Sequence, residues 1–166
     1  MRFLRFPAVV DEISARLVAT GVVTMAVLYL ATGWAPLMLL AAYGFLARFV
    51  AGPRFSPLGL LVTKAIRPLL STAAPRETAG PPKQFAQGIG AVFTVGASVA
   101  HYGFHAQGLA LLLMATLVVA ASLEAALGFC LGCRLFAGLM RLGLIPEATC
   151  AACANLSLRT KGLSAS

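Results

Sequence analysis

From Leu17 to Gly52 the chain carries one charged residue, Arg48, and from Gln84 to Cys133 it carries only Glu124. As a single helix the first stretch would be about 54 Å long. A bilayer's hydrocarbon core is about 30 Å thick, so the stretch must fold back on itself. Gly33-Trp34-Ala35-Pro36 is the natural turn, since Gly and Pro interrupt helices and Trp favours the headgroup level. The second stretch turns near His101–Gly108. The pattern predicts four spans, roughly Ile13–Thr32, Trp34–Ala51, Phe85–Tyr102 and Leu109–Phe129, each of about 18–21 residues.

Two shorter patterns complete an all-α reading. Phe55–Arg67 sets Leu58, Leu61, Val62, Ala65 and Ile66 at helical spacing, which predicts a short helix lying in the membrane surface. Ser71–Lys83, rich in Ala, Pro, Thr and Gly, reads as an exposed linker. Beyond the fourth span, Leu135, Phe136, Leu139, Met140 and Leu142 predict another short helix, ending near Gly143 and Pro146. The tail from Asn155 is polar and is expected to fray. The expected architecture is one polytopic membrane domain over residues 1–166, two helical hairpins joined by a loop over 52–84, with a tail over 130–166.

Composition agrees. The chain is 60% apolar and 11% charged, against about 25% charged residues in soluble domains. A net charge of +8 raises the question of nucleic acid, but no basic cluster with interleaved aromatics is present. The thirteen Lys and Arg residues instead fall in three blocks, Arg2 to Arg16, Arg48 to Lys83 and Arg134 to Lys161. The two short turns between spans have none, so the positive-inside rule predicts both termini and the central loop on the cytoplasmic side of the inner (plasma) membrane. Asp11 and Glu12 interrupt the basic start, and the apolar run continues into a second span, which favours a retained helix over a cleaved signal peptide.

The candidate chemistry is sulfur. All four cysteines lie in two Cys-x-x-Cys pairs, Cys130/Cys133 and Cys150/Cys153. Thiols two residues apart can exchange disulfides, pass a persulfide or bind a metal. A helix starting near Gly132, with Arg134 beside it, would favour a thiolate where the fourth span leaves the membrane. Gly128 and Gly132 would let another backbone approach the sulfur. A stable structural disulfide is disfavoured on the cytoplasmic side. Sixteen residues separate Cys133 from Cys150, within the spacing of a four-thiolate zinc site, so zinc on Cys130, Cys133, Cys150 and Cys153 stands as an alternative. Inert packing of four small residues is a third reading.

Glu124, inside the fourth span and within two turns of Cys130, marks a proton path, a cation site or an ion pair with Arg48 or Arg134. His101 and His105, four apart, would share a helical face as ligands need, or else belong to an interfacial belt with Tyr102 and Phe104. Thr94, Ser98 and Thr116 could line a solute path or bond within their own helices. No phosphate-binding Gly-rich loop and no Ser-His-Asp set is visible. No cofactor is called for unless zinc is bound.

Three segments, Gly52-Pro53-Arg54-Phe55-Ser56-Pro57, Pro81-Pro82-Lys83-Gln84-Phe85-Ala86-Gln87-Gly88-Ile89-Gly90 and Gly128-Phe129-Cys130-Leu131-Gly132-Cys133, resemble the small bacterial membrane family called domain-of-unknown-function 4395, over roughly positions 10 to 145. The resemblance implies a polytopic inner-membrane protein with thioredoxin-like or sulfurtransferase neighbours, and supplies no activity. Cys150 and Cys153 lie beyond the matched part. The reading that results is a membrane protein handling thiols or sulfane sulfur at the cytoplasmic surface. Cys130 or Cys133 attacks, the other resolves, and Cys150 and Cys153 relay to a thioredoxin-like partner, with Glu124 nearby. Its rivals are an oligomeric carrier or channel for a small sulfur-containing or other solute, packed through Gly88, Gly90, Gly96, Ala97 and Ala100, and a metal-binding structural subunit of a membrane complex.

Overall fold

A computed structural model of the chain describes residues 6–70 and 77–145. Part of the expected linker, the Cys150/Cys153 pair and the polar tail fall outside these residues.

Helix α1, Glu12–Thr32, starts where Asp11 caps it: the Asp11 carboxylate accepts from the Ser14 N–H at 3.0 Å and from the Ser14 hydroxyl at 2.7 Å. It stops at Gly33, whose φ of 67° is open to glycine at no steric cost. Pro36 then opens helix α2, Pro36–Ala51, at its first position, where a missing N–H costs nothing. The expected turn at Gly33–Pro36 is therefore in place. A tight turn over Gly52–Arg54 leads into helix α3, Pro57–Leu61, capped by the Ser56 hydroxyl. The chain passes through a π-helical segment, Val62–Ile66, into the single turn α4, Arg67–Leu69. This realises the expected short helix, although Val62 is buried while Leu61, assigned to the same stripe, is exposed.

The expected linker is structured at its end. Glu77–Ala79 forms strand β2, antiparallel to β1, Val9–Asp11, with Val10 opposite Thr78. Gly80 follows, so close to Pro7 that an added Cβ would strike the Pro7 carbonyl. Helix α5, Gly80–Tyr102, begins with Pro81 and Pro82 in its first turn. Lys83, placed by the sequence in an exposed linker, is thus helical and only 6% exposed. Helix α6 runs Gln107–Leu127 and helix α7 runs Leu131–Arg141.

The four long helices form a ring in which α1 packs on α2 and α6, and α5 on α2 and α6. The shared core contains Val22, Ala26, Tyr29, Met38, Phe45, Ala97, Ala100, Ala110, Met114 and Leu117. Its many alanines let the helices approach closely. The small residues of α5 serve this internal packing, with Gly88 against Phe49 and Gly90 against Phe45. Thr94, Ser98 and Thr116 donate to the carbonyls of Gly90, Thr94 and Leu112 in their own helices, the structural alternative to a solute path. The outer surface is apolar at mid-helix: Val92 is 71% exposed, and Leu112 and Val119 are each 63% exposed. Such a surface suits hydrocarbon better than water. Three helical stretches, Glu12–Thr32, Pro36–Leu69 and Gln107–Leu127, are long and apolar enough to cross a membrane. Helix α5, diluted by Gln84, Gln87 and four glycines, is not among them.

Arg67 ties α4 to the bundle through Asp11, Nε to Oδ2 at 2.8 Å. Burial opposes the charge on Asp11, but the Ser14 hydroxyl, the Arg67 guanidinium and the Ser14 N–H hold its carboxyl below the usual range. Because this pKa is depressed on folding, the stabilisation is complete above the ordinary carboxylate range and is lost as pH falls through the folded value. Asp11→Ala should cost about 1–2 kcal/mol through loss of the cap. Thermal unfolding in detergent should show that loss at neutral pH and a smaller one in acid.

A candidate thiol site at the start of helix α7

Helix α6 ends at Gly128, φ 67°, whose N–H bonds the Glu124 carbonyl at 2.9 Å, while the Phe129 N–H bonds that of Leu123 at 3.1 Å. Arg16 reaches across from α1 to the last carbonyls, Nε to Ala125 at 3.1 Å and Nη2 to Ala126 at 2.6 Å. A cation there offsets the negative end of the helix dipole. With its end fixed this way, α6 delivers Cys130 two residues later as the N-cap of α7, in extended conformation at φ −84°, ψ 106°.

Cys130 occupies the position that Ser or Asp usually fills. Its sulfur accepts from the Cys133 N–H at 3.4 Å. The Cys133 thiol also donates to it and lowers the Cys130 pKa; burial and the Glu124 charge oppose this, and Lys83 assists it. Cys133 is pushed the other way, because Cys130 holds its proton and burial disfavours a second charge. The pair is thus polarised, with Cys130 the more readily ionised thiol and Cys133 the one that keeps its proton. The two are not disulfide-bonded.

Gly132 seats the site against α5. A Cβ there would lie 2.6 Å from the Ala86 Cα, so the backbones meet as the glycine spacing suggested. Gly128 has a different role, the left-handed cap of α6. One turn further along the same face of α7, Phe136 packs against Phe85 with ring centres 5.6 Å apart.

Glu124 pairs with Lys83. Neither partner expected from the sequence makes this contact: Arg134 lies over the Phe129 ring at 5.0 Å, and Arg48 lies over Phe45 at 4.7 Å. Arg48 is 4% exposed. It donates from Nη1 to the Ser56 hydroxyl and from Nε to the Gln87 carbonyl oxygen, both at 2.8 Å. Sequence reasoning missed this hub, although a lone arginine in a long apolar run was its signal.

Two cavities reach Cys130. One, of about 200 Å³, is polar and is lined by Glu12, Thr78, Lys83, Cys133 and Arg134 as well as Cys130. The other, of about 300 Å³, is mainly apolar and extends between α5, α6 and α7. Cys130, Cys133 and Glu124 are thus gathered in one place. Cys150 and Cys153 lie outside the described residues, and the four-thiolate zinc set with them. Among the described residues no three His, Cys, Asp or Glu side chains are grouped to hold a metal. His101 and His105 do not share a helical face, because α5 ends at Tyr102 and His105 adopts φ 51° in the turn. The His101 ring packs edge-on to Tyr102, 4.7 Å between centres.

Fold and site together define a helical bundle with membrane-length apolar helices and a thiol pair at a helix N-terminus. A family model, Domain of unknown function (DUF4395), matches residues 10–141, and the chain belongs to that family. Neither the curated proteins nor the solved structures contain a significant match.

Proposed function

We propose that this protein exchanges thiols, or passes sulfane sulfur, through Cys130 and Cys133 at the cytoplasmic face of the membrane. In this reading all four long helices cross the bilayer and α7 lies at its inner surface. The observation that carries the proposal is Cys130 as N-cap of α7, its sulfur accepting from Cys133 beside Lys83 and open to a polar cavity. Helix amides, a donated thiol proton and a nearby ammonium are the means by which a sulfur is kept ionised and nucleophilic near neutral pH.

The chemistry proceeds in two displacements. The Cys130 thiolate attacks one sulfur of a substrate disulfide, forming a mixed disulfide and releasing the other sulfur as thiolate. Cys133 gives up its proton to that leaving group and attacks the Cys130 sulfur. The product is a Cys130–Cys133 disulfide and a fully reduced substrate. A dithiol partner of the thioredoxin-like class reverses the sequence. With a persulfide donor, Cys130 takes the outer sulfur and Cys133 expels it as hydrosulfide, giving the same intramolecular disulfide. Outward-facing chemistry is excluded in this reading by the three basic blocks.

The test is exchange and sidedness together. Reduced protein in inside-out vesicles should form the Cys130–Cys133 disulfide when given an oxidised soluble disulfide protein, and should react with a membrane-impermeant maleimide. Right-side-out vesicles should do neither. Equal reaction from both sides, or no exchange in either, defeats the proposal.

A further inference from the structure

The apolar cavity at Cys130 is not used by exchange with soluble proteins. It lies between α5, α6 and α7, with Phe45, Phe93, Leu117 and Leu135 among its walls, and Cys130, Glu124 and Gln87 also lining it. Its volume of about 300 Å³ is at the lower end for small-molecule sites. Gln87 is oriented within it: its carbonyl oxygen accepts from Arg48 Nε at 2.8 Å, which leaves the amide NH₂ as a donor. Cys130 therefore faces a polar cavity on one side and an apolar one on the other. An occupant matching the second has an apolar, planar body for the phenylalanines and a carbonyl for Gln87. To use the sulfur, it must also accept two electrons from a dithiol. A free acyl chain satisfies only the first requirement.

From this arrangement we infer that the cavity binds a lipid-soluble quinone, which Cys130 and Cys133 reduce to the hydroquinone. The inference rests on the thiol reading above and adds the electron acceptor. The Cys130 thiolate adds to a ring carbon of the quinone. Cys133, deprotonated, attacks the Cys130 sulfur; the carbon–sulfur bond breaks and its electron pair returns to the ring. One disulfide forms, two electrons pass to the quinone, and the two thiol protons end on its oxygens. Such a step links the membrane quinone pool to soluble dithiols that enter through the polar cavity.

The full chain, reduced and placed in quinone-free lipid nanodiscs, is mixed with decylubiquinone, and disulfide and hydroquinone are counted. One hydroquinone is expected per Cys130–Cys133 disulfide. Ala120→Phe, which fills the cavity, should slow this reaction at least about tenfold while exchange with a soluble disulfide protein continues. Gln87→Leu should raise the half-saturating quinone concentration about tenfold, the loss of one hydrogen bond. If Ala120→Phe loses soluble exchange as well, the variant is misfolded and Gln87→Leu decides. Unchanged quinone kinetics in the deciding variant overturn the inference. So does a wild-type protein that exchanges with soluble disulfides yet ignores quinone, a result that leaves the thiol reading standing. A protein inert to both overturns the two together.

Discussion

Cys133→Ser should accumulate a covalent mixed disulfide between Cys130 and its partner, whereas Cys130→Ser should form none. The asymmetry follows from the N-cap. In the proposed exchange Cys130, whose pKa is depressed, attacks first, and Cys133, whose pKa is raised, is needed only for the second displacement. With serine at 133 the second displacement cannot occur, and the first product persists. With serine at 130 the N-cap thiol is gone and the remaining thiol lies within the first turn of α7, so exchange with a soluble disulfide should fall by two orders of magnitude or more, about the scale set by loss of a catalytic nucleophile. Non-reducing electrophoresis and mass spectrometry of affinity-purified protein read both outcomes. Equal trapping by the two variants, or none by either, contradicts the assigned order.

Lys83→Met and Glu124→Gln should move Cys130 in opposite directions. The Lys83 ammonium favours the Cys130 thiolate and the Glu124 carboxylate disfavours it. Removing Lys83 also strands Glu124, so Lys83→Met should shift the alkylation midpoint of Cys130 to higher pH. Glu124→Gln removes the repulsion and frees Lys83 for the sulfur, so its midpoint should fall. Stability separates the pair from the single changes. Lys83 and Glu124 side chains are 7% and 15% exposed, and breaking a buried pair costs about 3–5 kcal/mol because one charge is left alone. Lys83→Met should show a loss of that order in detergent unfolding, and the Lys83→Met/Glu124→Gln double variant should recover much of it.

Long apolar runs almost free of charge made the long helices legible, and the turn at Gly33–Pro36 was placed by its own residues. The juxtaposition of Cys130 with Cys133 was legible too, since two residues between thiols at a helix start fix the geometry locally. What was not legible depends on contacts distant in sequence. Strands β1 and β2 are three residues each and exist only because the bundle brings Val9–Asp11 beside Glu77–Ala79. Pro81 and Pro82 interrupt most structures, which makes Lys83 read as part of a linker. The same prolines are favoured in a helix's first turn, and that alternative puts Lys83 within reach of Glu124. In the sequence Arg48 only interrupts an apolar run; its partners Ser56 and Gln87 are 8 and 39 residues away, too far for spacing to reveal.

The most direct test of the account is the pH dependence of iodoacetamide labelling in intact membranes, followed for Cys130 and Cys133 separately by peptide mass spectrometry. Cys130 should label first, with a midpoint below that of an ordinary thiol, and Cys133 should resist until Cys130 is blocked. Labelling of Cys133 ahead of Cys130, or of both only at the alkaline pH of a free cysteine, would contradict it.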